Sequence, residues 1–461
     1  MMLSRKNAPM MRWTGTLFVL VAAVLFVVAA PARAQEQKTA EIVEVRSAGG
    51  VTAWLKQESA IPMIAVSALW RDAGSVSDPV DKAGRANLVS GLLDEGAGDL
   101  TSQAFQQRLE ELAVRLSFEA GRDSFSMDMQ TLTQNAPEAF RLVGQALTAP
   151  RFDAEPVERI RRQILTGIAR DARNPNAVAG TRFMQMAFPD DPYGRPVDGT
   201  AESVAGLQAA DFAGFVRTRL ARNNLILGVV GDIGPEELKL LLDAAFAGLP
   251  ETAAPLDLPA TEPVTGPVLD VAEFPSPQTV FVFGLPALSR DDPDFDAARV
   301  MNHMLGGGGF TSRLTEEIRE KRGLTYGVYS YLRPMDRAGL WLGGLSTRNE
   351  KAGEALQVLR DTMRDYIEQG PGADQLRDAK ANMNGAFPLR LTSNKAIAGL
   401  LVSLQRYDLG KDYVARRPQL IDAVTAEDVK RVARRLLDPE RLLVVAAGQP
   451  AGLAEGAGAA Q

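Results

Sequence analysis

AADFAGFVRTRLARNNLILGVVG, residues 209–231, returns near the end of the chain as AEDVKRVARRLLDPERLLVVAAG, residues 426–448. At a constant offset of 217, Asp211 falls on Asp428, Val216 on Ala433, Leu220 on Leu437, Leu225 on Leu442 and Gly231 on Gly448. Each copy reads as a helix, a polar turn and then a strand. Upstream, Thr101-Ser102 and Thr311-Ser312 each precede a helix at an offset of 210, and the drift of seven is what loop insertions produce. The chain therefore reads as two copies of one mixed α/β unit of roughly 200 residues. This predicts an α+β fold of two tandem homologous domains, each with an antiparallel-rich sheet covered by helices on one face.

The remaining pattern fits that duplication. Strands are expected at 41–46, 51–56, 64–70, 114–118, 123–132 and 225–231, with Gly49-Gly50 turning between the first two. Helices are expected at 83–96, 101–112, 136–148, 156–172 and 209–220. Within 83–96, Ala86, Leu88, Val89, Leu92 and Leu93 suit a buried helix. FPDDPYGRPVDGT, 188–200, is too rich in Pro, Gly and Asp for regular structure, and Asp190-Asp191 before its proline reads as turn chemistry. Five prolines between 248 and 267 mark an extended linker, which separates an N-terminal domain (35–247) from a C-terminal one (268–448). The Gly/Ala-rich tail, 449–461, reads as disordered.

Composition narrows the chemistry. The 461 residues are 46% hydrophobic and 23% charged, which describes an ordinary globular protein with ample core. A net charge of −6 argues against nucleic acid, whose phosphates require a cationic face. With no cysteine there is no disulfide and no thiolate chemistry. With one histidine, His303, a self-contained zinc site would have to rest on carboxylates, whereas zinc prefers nitrogen and sulfur. Residues 1–34 read as a signal peptide: Arg5, Lys6 and Arg12 precede a 15-residue apolar run, and Ala32-Arg33-Ala34 supplies the cleavage spacing. The run is shorter than the ~20 residues needed to cross a bilayer. Cleavage leaves a mature chain beginning at Gln35, located beyond the inner membrane or in the periplasm if the source is Gram-negative.

LGGGGFTSRLTEEIREKRGLTYGVYSY, residues 305–331, carries the candidate site. It opens with Gly306, Gly307, Gly308 and Gly309. No Gly-Lys-Ser/Thr follows them, so the run reads as a flexible or closely packed loop rather than a phosphate cradle. A short amphipathic helix comes next, with Leu314 and Ile318 inward and Glu316, Glu317, Glu320 and Lys321 outward. Gly323 ends it as a left-handed cap. A strand is expected at 324–332. Arg319 in the last helical turn and Tyr326 on that strand make a donor pair suited to a developing oxyanion. Taken alone, both are more commonly residues of the fold, and a lone histidine within a helical pattern such as that of 294–305 is more commonly a structural hydrogen-bonder.

Together these stretches resemble the pitrilysin/insulinase family of zinc metallopeptidases, which includes the mitochondrial processing peptidases. The second half matches through LGGGGFTSRLTEEIREKRGLTYGVYS, and the first through FPDDPYGRPVDGT and LARNNLILGVVGDI. The resemblance spans essentially the whole mature chain and implies that Arg319 and Tyr326 are the family's arginine–tyrosine pair. It also exposes a departure. Active members carry His-x-x-Glu-His on the first-half helix after Gly-x-Ala. Here Asn87 stands at the first histidine, Ser90 at the general-base glutamate and Gly91 at the second histidine. The glutamate ligand about 75 residues further on corresponds to Gly167. None of these four binds zinc usefully or deprotonates water.

In the family the two half-sites need not lie on one chain. The resemblance implies a non-catalytic subunit of a heterodimeric zinc peptidase. It would bind no metal itself, would donate Arg319 and Tyr326 to a zinc-binding partner subunit, and would shape the chamber wall with Gly306, Gly307, Gly308 and Gly309. Substrates would be extended peptides added to a sheet edge. The alternative is a catalytically dead peptide-binding or structural homodimer of the same fold. Retention of both Arg319 and Tyr326 favours the first reading, and a neighbouring gene encoding His-x-x-Glu-His in the same fold would support it.

Overall fold

The strands follow from runs of β-branched and small apolar residues, and the most apolar of them, β3 and β6, lie at the centre of the first sheet. The structure is a computed structural model that describes residues 41–453. The leader at 1–34 and most of the tail lie outside the described residues. The first half contributes β1 (Ile42–Arg46), β2 (Thr52–Gln57), β3 (Met63–Arg71), β4 (Arg115–Ala120), β5 (Ser124–Leu132) and β6 (Leu225–Gly231). They form one mixed sheet in the order β1-β2-β6-β3-β5-β4. The second half contributes β7 (Val268–Glu273), β8 (Gln278–Pro286), β9 (Val328–Pro334), β10 (Gly339–Arg348) and β11 (Leu443–Gly448), in the order β7-β11-β8-β10-β9.

Beyond the additional β1, these two orders are the same. In each sheet the last strand of the half inserts parallel to one neighbour and antiparallel to the other: β6 between β2 and β3, β11 between β7 and β8. The duplication reaches single residues. Gly231 (φ 152°) and Gly448 (φ 158°) end the corresponding strands in a conformation that side chains rarely adopt. The fold is therefore α+β with two homologous halves, as expected.

Helices α1 (Arg85–Ser90), α2 (Ser102–Glu111), α3 (Ala136–Thr148), α4 (Ala154–Asp171), α5 (Pro175–Ala187), α6 (Ala201–Gly206), α7 (Ala209–Arg219) and α8 (Pro235–Phe246) belong to the first half. Those of the second half are α9 (Phe295–Asn302), α10 (Ala352–Gln369), α11 (Ala373–Ala386), α12 (Asn394–Arg406), α13 (Tyr413–Ala423) and α14 (Ala426–Leu436). Chain order pairs α1 with α9, α3 with α10, α4 with α11, α5 with α12 and α7 with α14. Each half buries one sheet face under its own helices: Trp70, Phe125, Phe215 and Phe246 form part of the first core, Phe283, Trp341, Val300 and Val432 part of the second.

The expectation of one covered face per sheet is corrected by a reciprocal exchange. α5 crosses to the second sheet, where Ala179, Phe183 and Met184 pack with Val280, Leu342 and Val445. α12 crosses to the first, where Ala398 and Leu401 pack with Ala65 and Val230. Glycines admit the close approach. A Cβ on Gly228 of β6 would overlap the carbonyl oxygen of Ala398, and one on Gly284 of β8 would lie 2.7 Å from the Phe183 ring. Local sequence could not show this, because an amphipathic helix does not name the sheet it will cover.

A polar clamp joins the halves where the 188–200 loop meets the β9–β10 turn. Tyr193 is fully buried; its hydroxyl donates to Asp123 Oδ1 (2.5 Å) and accepts from the Arg337 amide (3.1 Å). The Arg337 guanidinium donates twice to Asp191, at 2.9 and 3.0 Å, and lies 4.3 Å from the Tyr193 ring centroid. Asp191 also caps its own turn by accepting from the Tyr193 amide (2.8 Å), so its turn chemistry is as expected and the cross-link to the second half comes in addition. Residues 249–267 have no regular secondary structure but are pinned by backbone bonds such as Val264 N–H to Ala187 O (2.8 Å). Residues 449–453, assigned above to the tail, are tied down by Ala451 N–H to Asn349 O (2.9 Å) and Gly353 N–H to Ala451 O (3.1 Å).

Candidate functional site

Only the start of the glycine run is built into the second core: Gly306 is buried, whereas Gly307 and Gly309 are exposed. α9 widens into a π-type turn over His303–Gly307, and this turn packs on β9. A Cβ on Gly306 would collide with Ser330, one on Gly307 would lie 2.7 Å from Asn302 Nδ2, and one on Gly308 2.7 Å from the His303 carbonyl. Close packing thus accounts for these three. Gly309 differs: with φ 63° and open space around it, it turns the chain so that Phe310 stands out, 73% exposed. The arginine of the pair rests on that ring, its guanidinium carbon 4.6 Å from the Phe310 centroid. Phe310 is a supporting residue that sequence reasoning misses, although its place directly after the glycines is visible in the sequence.

Arg319 lies in a second π-type segment, Thr315–Glu320, anchored by fully buried Leu314 and Ile318. Its side chain is half-buried and lies near Glu320 at 3.6 Å. Gly323 (φ 61°) ends the segment as expected, with its amide donating to Arg319 O (2.8 Å) and Leu324 N–H to Ile318 O (3.0 Å). One outward assignment is corrected. Glu317 turns inward along the surface and meets Lys321 and Arg322, each at 2.8 Å. Burial alone would raise its carboxyl pKa, but these two cations hold it below the usual range.

Tyr326 is also placed differently from the expectation. The strand begins at Val328, and Leu324–Gly327 forms a loop fastened on both sides of the phenol. Thr347 Oγ1 donates to Leu324 O (2.5 Å), and Thr325 Oγ1 to Ser346 O (2.7 Å). Both hydroxyls bond carbonyls just beyond the last β9–β10 pair, Val328 with Leu345. Tyr326 stands between them at 87% exposure, with no hydrogen bond to any described residue. The pair is therefore presented to solvent on anchored backbone, and neither residue lines the cavities around His303.

The four degenerate positions lie on α1 and α4, which touch. Gly91 caps α1, and a Cβ there would come 2.9 Å from Ile160 Cγ2 of α4. The Ser90 hydroxyl is spent, donating to Asn87 O (2.7 Å). Gly167 is open, with nothing within 4 Å of the point a Cβ would occupy, and it shares its shallow depression with Arg159, Arg162 and Arg170. Guanidinium groups beside that position would repel a divalent cation. Among the described residues no group of three or more His, Cys, Asp or Glu is arranged to hold a metal. These residues do not fit zinc. The expected helix at 83–96 is also shorter than its pattern suggests: it runs only from Arg85 to Ser90, between Gly84 (φ 87°) and Gly91, although Ala86, Leu88, Val89, Leu92 and Leu93 are all buried.

Residues 57–201 match the Insulinase (Peptidase family M16) family, and residues 206–383 match the Peptidase M16 inactive domain. The chain belongs to the M16 family. It is 27% identical over 348 residues to the non-peptidase homolog YmxG of Helicobacter pylori, spanning 75% of this chain and 79% of that protein. It is 26% identical over 387 residues to an uncharacterized zinc protease of Streptomyces coelicolor, spanning 80% and 82% respectively. Among solved structures, the peptidase M16 inactive domain from Pseudomonas fluorescens superposes with a TM-score of 0.82 at 29% identity, covering 89% of this chain and 98% of that one. With Asn, Ser and Gly at the metal positions, this is an inactive M16 chain.

One acidic residue that follows α1 in this M16 chain, Asp94, adds a pH response. Asp94 is mostly buried and accepts from Gln106 Nε2 (3.3 Å); burial, with Glu95 beside it, pushes its pKa up to about 6. A carboxyl whose pKa is raised on folding holds a proton that the unfolded chain releases, so its contribution to stability falls as pH rises from about 4 to about 6. Asp94→Asn is expected to stabilise the protein at pH 7 by up to about 3 kcal/mol, the advantage fading toward pH 4. Urea unfolding at both pH values checks this; equal shifts at the two would contradict it.

Proposed function

We propose that this M16 chain is the non-catalytic subunit of a heterodimeric zinc peptidase that acts on extended peptides beyond the inner membrane. A zinc-binding homologue supplies the metal and the general base. This chain supplies Tyr326, whose O–H donates to the scissile carbonyl oxygen as charge develops on it, and Arg319, whose charge-assisted bonds hold the peptide backbone. The observation that carries the reading is the contrast between two surfaces. The metal positions are occupied by residues without ligating capacity, while the arginine and the tyrosine are held on fixed backbone with no partner for the phenol among the described residues.

Two features support a peptide substrate. β9 lies at the edge of the second sheet, with no strand beyond it among the described residues; a peptide strand would add there away from Ser330, whose carbonyl accepts from Asn302 Nδ2 (3.1 Å). Along it Tyr329 and Tyr331 stack at 6.2 Å and stand partly exposed, a surface suited to the side chains of an unfolded peptide. Gly309 and Phe310 then set the chamber wall beside Arg319. Purifying the chain under native conditions and identifying its companions by mass spectrometry tests the assignment. A homologue bearing His-x-x-Glu-His in near-equal amount is expected; recovery of only this chain, as a homodimer, would favour the structural alternative.

A further inference from the structure

A cavity of about 370 Å³ lies in the second half between the π-type turn, β9, α11, the segment after it and α13. Its wall carries three guanidinium groups, those of Arg299, Arg390 and Arg417, together with His303, Tyr331 and Asn382. Arg299 is matched by Asp296 at 3.0 Å and by the Tyr413 hydroxyl at 3.1 Å. Arg390 and Arg417 have no carboxylate within ion-pair distance among the described residues. Arg417 is only 4% exposed. It donates to Met383 O (3.2 Å) and Asn384 Oδ1 (3.3 Å), packs 4.2 Å from the Phe387 ring centroid, and leaves its Nε without a partner.

A buried cation with an unmet donor is costly unless something compensates it. Two further guanidinium groups nearby make the position worse, and burial followed by the charge of Arg299 lowers the Arg417 pKa. His303 shares the wall; burial and then Arg390 hold its pKa below the usual value, so it is neutral near pH 7 and can donate or accept. With three guanidinium groups against one carboxylate, the field inside the cavity favours an anion. Guanidinium forks match the planar oxygens of a carboxylate and the tetrahedral ones of a phosphate.

The place of the cavity in the fold is informative. α9 and α11 are the second-half counterparts of α1 and α4, the helices that carry the degenerate metal positions. The corresponding helix pair thus frames a cationic pocket in the half that carries none of those positions.

We propose that this cavity is a binding site for a small oxyanion ligand, a carboxylate- or phosphate-bearing molecule, held by Arg390, Arg417 and His303. The proposal stands apart from the peptidase reading and needs no partner subunit.

Isothermal titration of the purified protein with inorganic phosphate, with succinate and with neutral succinamide tests it. Saturable binding of phosphate, of succinate or of both is expected, with none for succinamide, and the preferred anion identifies the source. Arg390→Ala, at an exposed residue without a partner, should weaken that binding about tenfold, a typical loss for one charge-assisted bond. Arg417→Met should abolish it. No saturable heat from either anion up to about 20 mM, the range of very weak binding, would overturn the proposal. So would binding that persists unchanged in Arg390→Ala, which decides the matter even if Arg417→Met fails to fold.

Discussion

Replacing Tyr326 with phenylalanine is expected to lower the rate of peptide cleavage by the proposed complex about 10²–10³-fold, the usual cost of one preorganised oxyanion donor. The melting temperature and the zinc content of that complex should stay unchanged. The clean separation follows from the geometry: at 87% exposure and with no hydrogen bond to any described residue, the phenol contributes nothing to its own fold. The loss should fall on kcat more than on KM, because the bond strengthens only as charge develops on the carbonyl oxygen. Phe310→Ala should give a smaller fall, since it removes the ring beneath Arg319 without removing the charge. An unchanged rate in Tyr326→Phe would remove the donor role.

Arg337→Ala is expected to destabilise the protein by about 3 kcal/mol, toward the low end for breaking a largely buried ion pair. Arg337 is the one residue of the clamp that binds Asp191, covers Tyr193 and donates to Pro259 O (2.9 Å) together. Its removal strands a carboxylate that the sequence folds into a narrow loop. Burial opposes ionisation of Asp191, yet Arg337 holds its pKa below the usual value. A lowered carboxyl pKa gives stability that is present above the unfolded-state value and lost as pH falls through the folded one. The gap between the two proteins should therefore narrow below about pH 4. Denaturant unfolding across that range is the check; a pH-independent loss would assign the effect to packing alone.

Much of this is legible in the sequence, for reasons that can be named. The offset of 217 exposes the duplication because the helix–turn–strand ending each half is local and strongly patterned, and the two sheet orders agree with it. Helix 136–148 is legible to the residue, its apolar face being continuous from Ala136 to Leu147. The misses are non-local. Nothing in α5 or α12 reports that each covers the other half's sheet. The loop holding Tyr326 reads as strand because alternation continues through it, whereas the β9–β10 ladder ends at Val328 and threonine hydroxyls tie the loop to its neighbour instead. The second π-type segment reads as ordinary helix because its apolar spacing is nearly the same, and the first reads as a helix to Leu305 running into a glycine loop. At the candidate site, Arg319 and Tyr326 are visible through resemblance; Phe310 and the arginines around His303 are not, since they converge only in three dimensions.

The proposed division of one active centre between two chains is tested most directly by measuring zinc content and peptide cleavage for each purified subunit and for their mixture. No zinc is expected in this chain, zinc is expected in the His-x-x-Glu-His partner, and cleavage should appear only on mixing. Full activity of the partner alone, or zinc bound by this chain, would contradict it.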